Sequence, residues 1–349
     1  MNDDQPINSD ASEELLSNPD EQVIDAELVH VVDAYEPMYA SGAQIIDRLP
    51  PPRKRRVVLP VCLLLATCVT TFWMGIVQWR LPPELGASNE SLSYFRAFFV
   101  PSNWDNGFTY MACILSILFA HEMGHFLMTL RHRIPASLPF FIPLPFISPI
   151  GTMGAVIGMD GLRADRKQLF DIGIAGPIAG LVVAVPIIII GIFKLDLTQN
   201  QTGQYELDVP LIMACIMYCV EVPGYEFGMH ISQAQLNPYF MAGWVGLLVT
   251  GLNMLPMSQL DGGHVTYTLF GKNAHWIARG IILVAMLFVI FGGAHIWMLM
   301  LVLIFLMGID HPPTSDDTVE ITPFRRYLGY ASLSIPLLCF PPYGIILDF

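Results

Sequence analysis

The chain has 349 residues, of which 54% are apolar and only 13% charged. That composition excludes an ordinary soluble domain and fits an all-α polytopic membrane protein. The formal charge of -13 is unevenly placed: residues 1–49 hold twelve of the thirty acidic residues and one base, Arg48. Nothing in that acidic segment argues for nucleic-acid binding, and no nucleic-acid partner is expected.

The first unit, residues 1–52, reads as an acidic, disordered tail. At Pro50-Pro51-Pro52 the character changes, and Arg53-Lys54-Arg55-Arg56 runs straight into the apolar stretch 57–79. This is a first membrane helix, starting too late and running too long for a cleavable signal peptide. The positive-inside rule keeps the basic block, and with it the N-terminus, in the cytoplasm. Residues 80–105 follow as an external loop that closes a second unit, 53–105.

A second apolar run, long enough to cross a bilayer, extends from Gly107 to Leu130 and carries His121-Glu122-Met123-Gly124-His125. On an α-helix the two histidines stand one above the other on a single face with Glu122 beside them. Two imidazoles and a carboxylate so placed can hold a divalent metal and handle the proton of a water bound to it. A structural metal site or a buried histidine pair would use the same residues. Beyond Arg131 and Arg133, the stretch 134–159 is apolar but rich in proline, which forbids a regular helix. Non-helical backbone at membrane depth must be covered by protein, so a re-entrant loop or β-hairpin against the histidine helix is expected, with an interfacial loop as the alternative.

Residues 160–169 carry Arg163, Arg166 and Lys167 and belong on the cytoplasmic side. A third helix is expected over about 170–193, in which Gly176 and Gly180 form a GxxxG step that admits a close neighbour, the histidine helix. Residues 194–208 are polar and external, and the run 209–222 is too short to span, so it reads as interfacial or re-entrant.

The next helix starts near Pro238 and carries Asn253-Met-Leu-Pro256 and then Asp261-Gly262-Gly263, with a break expected at Pro256 and a loose backbone at the glycine pair. An aspartate in a membrane segment marks a functional site by default. His121 lies ten residues before Arg131, and Asp261 eleven before Lys272. At about 1.5 Å per residue both sit roughly 15 Å inside the cytoplasmic boundary, so the two motifs can meet. Fourteen of the seventeen Lys and Arg fall on the cytoplasmic side of this topology, which supports it. Asp160, Asp165 and Asp171 read as solvated charges of a loop. His264 is placed to orient Asp261 from behind, or is a bland helix-end histidine. The six cysteines read as small buried hydrophobes. Residues 276–293 and 294–308 form a helical hairpin, and a Pro-broken segment, 327–347, ends the chain, giving about six to seven transmembrane helices in all.

A membrane-embedded His121-Glu122-xx-His125 followed by Asn253-xx-Pro256-xxx-Leu260-Asp261-Gly262 resembles the site-2 protease family of intramembrane zinc metalloproteases. The resemblance covers about residues 106–271, the core unit, and leaves 272–349 as C-terminal helices. It implies one Zn2+ per chain held by His121, His125 and Asp261, Glu122 as catalytic base, and transmembrane proteins within the lipid bilayer as substrates. Asn253 is a candidate donor to the oxyanion. Many relatives carry a PDZ domain between the third and fourth helices of this plan. The forty-odd residues available here cannot hold one, so the chain is similar to the PDZ-less branch, expected in a prokaryotic inner membrane. A metal transporter would need carboxylates or histidines along a whole pathway, and the other helices are nearly bare of them. A catalytically inactive scaffold that binds transmembrane proteins is the remaining alternative.

Overall fold

Apolar helices long enough to cross a bilayer dominate the computed structural model, which describes residues 57–81, 88–145, 148–198, 203–309 and 311–347. The expected acidic tail, 1–52, and the basic block behind it lie outside the described residues. The first membrane helix is α1, Val58–Ile76, followed by a short α2, Ser88–Arg96, within the stretch expected to be an external loop. The histidine helix, α3, runs from Ser102 to His132 and stops where Arg133 takes a left-handed φ of 58°. The third long helix, α4, is Arg166–Phe193. It begins four residues earlier than expected because Asp165 caps it: the Asp165 carboxylate accepts from Gln168 N at 2.7 Å while the Gln168 side chain accepts from Asp165 N at 3.1 Å. Asp165 is therefore a structural cap and not a solvated charge.

The proline-rich stretch forms a hairpin of β1, Phe140–Pro143, and β2, Thr152–Val156, with Phe141 opposite Ala155 and a bulge between Ile142 and Pro143. Its turn end reaches up α3, where the Tyr110 hydroxyl donates to Ile150 O at 2.8 Å. Tyr110 lies eleven residues before His121, about 16 Å along the helix, so the hairpin rises past the histidines. It also packs on α1, where a Cβ on Gly151 (φ 81°) would meet Met74 Cγ and Thr70 O, both at 2.9 Å.

After α4 come β3, Glu206–Leu207, the nine-residue α5, Leu211–Cys219, and β4, Ile231–Ser232. Then α6, Pro238–Asn253, runs through the centre of the protein with its residues mostly buried. The chain next forms α7, Asp261–Phe270, and α8, Ala274–Phe291, which make one 31-residue apolar stretch, and then α9, Met298–Met307. Two short helices, α10, Pro323–Ser332, and α11, Ile335–Cys339, lead to β5, Ile345–Ile346. Strand β3 lies between β4 and β5, so the last strand is stitched to the connection after α4.

Four spans, rather than six to seven, are long and apolar enough to cross a membrane among the described residues: α1, α3, α4 and the α7–α8 stretch. The shortfall has a physical cause. Helix α6 is cut to 16 residues ahead of Pro256, and the 295–307 segment reaches only thirteen. Helix α4 is the hub, packing on α3, α6 and α7, while α1 and α6 flank α3. The cysteines also differ from expectation. All six are free, only Cys339 is buried, and Cys62, Cys215 and Cys219 lie exposed on apolar helices, where lipid can cover them.

Candidate metal centre

Glycines let the helices approach closely enough to build the site. A Cβ on Gly124, between the two histidines of α3, would lie 2.5 Å from Ala175 O of α4. From the α4 side, a Cβ on Gly176 would run into the His125 imidazole, and one on Gly180 would lie 3.1 Å from His121 Nδ1. The GxxxG step thus faces the imidazoles themselves. Gly173, one turn earlier, would meet His264 Cβ of α7 at 3.0 Å, so the same ridge seats both helices of the site.

Helix α6 ends at Asn253, and Asp261 is the first residue of a new helix instead of an insertion within the old one. The glycines after it do not loosen the backbone, because both are helical and buried. A Cβ on Gly262 would overlap Met254 O, and one on Gly263 would overlap Ser258 O, so they let the loop fold back tightly onto the start of α7.

The Asp261 Oδ2 atom lies 3.2 Å from His121 Nε2 and 3.2 Å from His125 Nε2. Tetrahedral zinc with bonds of about 2.0–2.2 Å sets its ligand atoms roughly 3.3–3.6 Å apart, so the carboxylate oxygen stands close to that spacing from each imidazole nitrogen. The His125 tautomer points the same way. Its Nδ1 lies 2.8 Å from the Ile172 carbonyl, which can only accept, so Nδ1 carries the proton. In the neutral ring Nε2 then faces a carboxylate oxygen with a bare lone pair, an arrangement that a shared cation makes attractive. His121 and His125 are 2% and 6% exposed and Glu122 is 4% exposed, which leaves all three in surroundings of low dielectric. Among the described residues, His121, His125 and Asp261 are the three His, Cys, Asp or Glu side chains that converge closely enough to hold a metal. The Asn253 amide nitrogen is 3.4 Å from His121 Nε2, at the edge of the same cluster.

One sequence expectation gains a partner and another is corrected. His264 Nδ1 is 2.6 Å from His311 Nε2, so any hold on Asp261 passes through the helix turn the two share. Asp171 is not a solvated loop charge. It accepts from Arg325 Nε at 2.7 Å and Nη2 at 2.9 Å and pairs with His132 Nε2 at 3.1 Å, tying α4 to α10 and to the end of α3. His311 carried no signal in the sequence, because it stands in a polar connection 47 residues from its partner.

Fold and site together define a helical membrane protein with a two-histidine, one-carboxylate cluster able to hold a metal beside a buried glutamate, a grouping of the kind found in metallopeptidases. A family model described as Peptidase family M50 matches residues 109–293, more than half of the chain and all of the site. The chain belongs to that family, the site-2 protease family. Similar proteins include the probable zinc metalloprotease EGY1, chloroplastic, of Oryza sativa subsp. japonica, 35% identical over 46% of this chain and 28% of its own length. The Arabidopsis thaliana protein of the same name is 30% identical over 65% of this chain and 42% of its own. The probable zinc metalloprotease EGY2, chloroplastic, of Arabidopsis thaliana is 28% identical over 65% and 40%. The chain thus matches less than half the length of each of these relatives. No solved structure matches.

Proposed function

We propose that the protein is an intramembrane zinc endopeptidase that hydrolyses peptide bonds within or near transmembrane segments of membrane-protein substrates. The convergence of His121 Nε2, His125 Nε2 and Asp261 Oδ2 beside buried Glu122, on helices of membrane-spanning length, carries this reading. In it, His121, His125 and Asp261 hold one Zn2+. Zinc bound there supplies a Lewis acid and a water whose pKa is brought towards about 7. Glu122 takes the proton of the attacking water and delivers it to the leaving nitrogen, and the Asn253 amide donates to the developing oxyanion. A helical substrate hides its peptide bonds, so it must unwind before attack. The β1–β2 hairpin, a two-stranded sheet whose outer edges have no strand partner among the described residues, receives the extended segment by strand addition.

The membrane setting is part of the same proposal. The metal centre lies under the inner face of a prokaryotic cell membrane, with the N-terminus on that side, as the Arg53–Arg56 block and the positive-inside rule indicate. Counting α6 and the 295–307 segment with the four long spans gives about six passes. Among the described residues of the 44 between α4 and α6 there are β3, α5, β4 and a short 3-10 turn, too little for a PDZ domain, so the chain is read as PDZ-less.

The test is Glu122→Gln in the purified protein, with zinc content and cleavage of a model transmembrane substrate measured side by side. The expected result is full zinc content with cleavage lost. Equal cleavage by variant and parent would overturn the assignment.

A further inference from the structure

Asp261 occupies a mechanically weak position. It opens α7, the cap residue Leu260 gives that helix no side-chain cap, and the loop before it contains Ser258 at a φ of 53°. The residues that stabilise this stretch come from far along the chain. Ser258 N donates to Ile309 O at 3.1 Å, and Ser258 Oγ donates to Gly308 O at 2.5 Å. One turn beyond Asp261, His264 pairs with His311 at 2.6 Å. A further turn on, the Tyr267 hydroxyl donates to Asp317 Oδ2 at 2.8 Å while its ring stacks on His311 at 4.6 Å. The far end of the same segment is hooked to the start of α4, with Ser315 N donating to Ala164 O at 2.9 Å and Arg166 N to Asp316 O at 3.3 Å. Arg166 Nε closes the ring by donating to Thr268 O at 2.7 Å.

We propose that the segment 311–318, acting through His311 on His264, positions Asp261 as a metal ligand, so that metal affinity is set from a part of the chain that touches no metal. This inference rests on the metal site proposed above. The hydrogen-bond chain has a fixed direction. The Pro312 carbonyl can only accept, so His311 Nδ1 donates to it. Burial, followed by the neighbouring His264, lowers the His311 pKa to about 3 and keeps the ring neutral. His311 Nε2 therefore accepts, and His264 Nδ1 donates. One tautomer and one ring orientation of His264 follow, on the helix turn that begins with Asp261. The α4 glycine ridge that receives the imidazoles is fixed by the same segment at its other end. The two halves of the site are thus held in one frame.

The experiment uses the purified full-length protein. Zinc affinity is measured by competition with a chelator, and the visible absorption of the cobalt-substituted protein reports coordination geometry. His311→Phe keeps a ring to stack on Tyr267 but removes both nitrogens. It is expected to weaken zinc binding by about ten- to a hundredfold and to shift the cobalt bands. His311→Gln, whose amide can both accept from His264 and donate to Pro312, is expected to recover part of the affinity. Zinc affinity within twofold of the parent together with an unchanged cobalt spectrum in His311→Phe would overturn the proposal. If that variant does not fold, Tyr267→Phe, which removes only the bond to Asp317, decides by the same criterion, with a several-fold weakening expected. A parent that binds zinc but cleaves no substrate overturns the proposed function alone, whereas a parent that binds no zinc overturns both.

Discussion

The tightness of the α3–α4 contact makes glycine substitution a graded probe of the metal centre. In Gly124→Ala the new methyl starts 2.5 Å from Ala175 O and 2.9 Å from Ala175 C, and real Cβ contacts essentially never fall below 3.0 Å. The obstacle is backbone, so the helices must separate by on the order of half an ångström. Such overpacking costs about 1–3 kcal/mol. The imidazoles ride on α3 and Asp261 on α7, which is seated on α4, so the separation opens the ligand set. A displacement approaching 1 Å costs on the order of 10²-fold in rate. Gly176→Ala acts more directly, since its methyl overlaps the His125 ring, a proposed ligand. Gly180→Ala meets His121 only at 3.1–3.2 Å and needs a shift of a few tenths of an ångström. Gly280→Ala, on α8 with nothing within 4 Å, is the control and is expected to stabilise by about 1 kcal/mol through helix propensity. Chelator competition for zinc, peptide cleavage and thermal unfolding, measured together, should rank Gly176→Ala and Gly124→Ala as most damaging, then Gly180→Ala, with Gly280→Ala harmless. Parent-like zinc affinity in Gly176→Ala would refute this account of the contact.

Three further outcomes are expected. Asn253→Ala should lower the cleavage rate by about 10²–10³-fold while zinc content is unchanged, the signature of a lost oxyanion donor; loss of zinc instead would make Asn253 a support of His121. His311 takes up a proton near pH 6.5 in the unfolded chain but only near 3 when folded, so its contribution to stability is complete above about pH 6.5 and is lost as the pH falls. At pH 5 the loss is about 2 kcal/mol, and thermal unfolding in detergent should be less pH-dependent over this window in His311→Phe than in the parent. Asp171→Asn removes a partly exposed carboxylate from Arg325 and His132. It should cost about 1 kcal/mol in thermal unfolding with zinc content intact.

The parts of the site carried by local chemistry were legible from residue order. The i, i+4 histidines fall on one helix, Pro256 ends α6 before the aspartate, and the proline-rich run becomes a hairpin, each because the decisive constraint lies within a few residues. What escaped depends on tertiary partners. Asp165 and Asp171 have the composition of a solvated loop, yet one caps a helix and the other meets an arginine 154 residues away. The Gly262–Gly263 pair looks like a flexible hinge by residue type, and only the carbonyls of Met254 and Ser258 reveal it as a packing requirement. His264 was singled out, but its partner could not be, since nothing in the spacing links it to His311.

The three side chains of the proposed centre are residues 121, 125 and 261, so it bridges a separation of 140 positions. An ion shared by them would also be a cross-link, drawing together two stretches of chain that α4, α5 and α6 separate in sequence. In the proposed reading, a nascent chain would have no complete metal site until the aspartate had emerged behind the histidine helix.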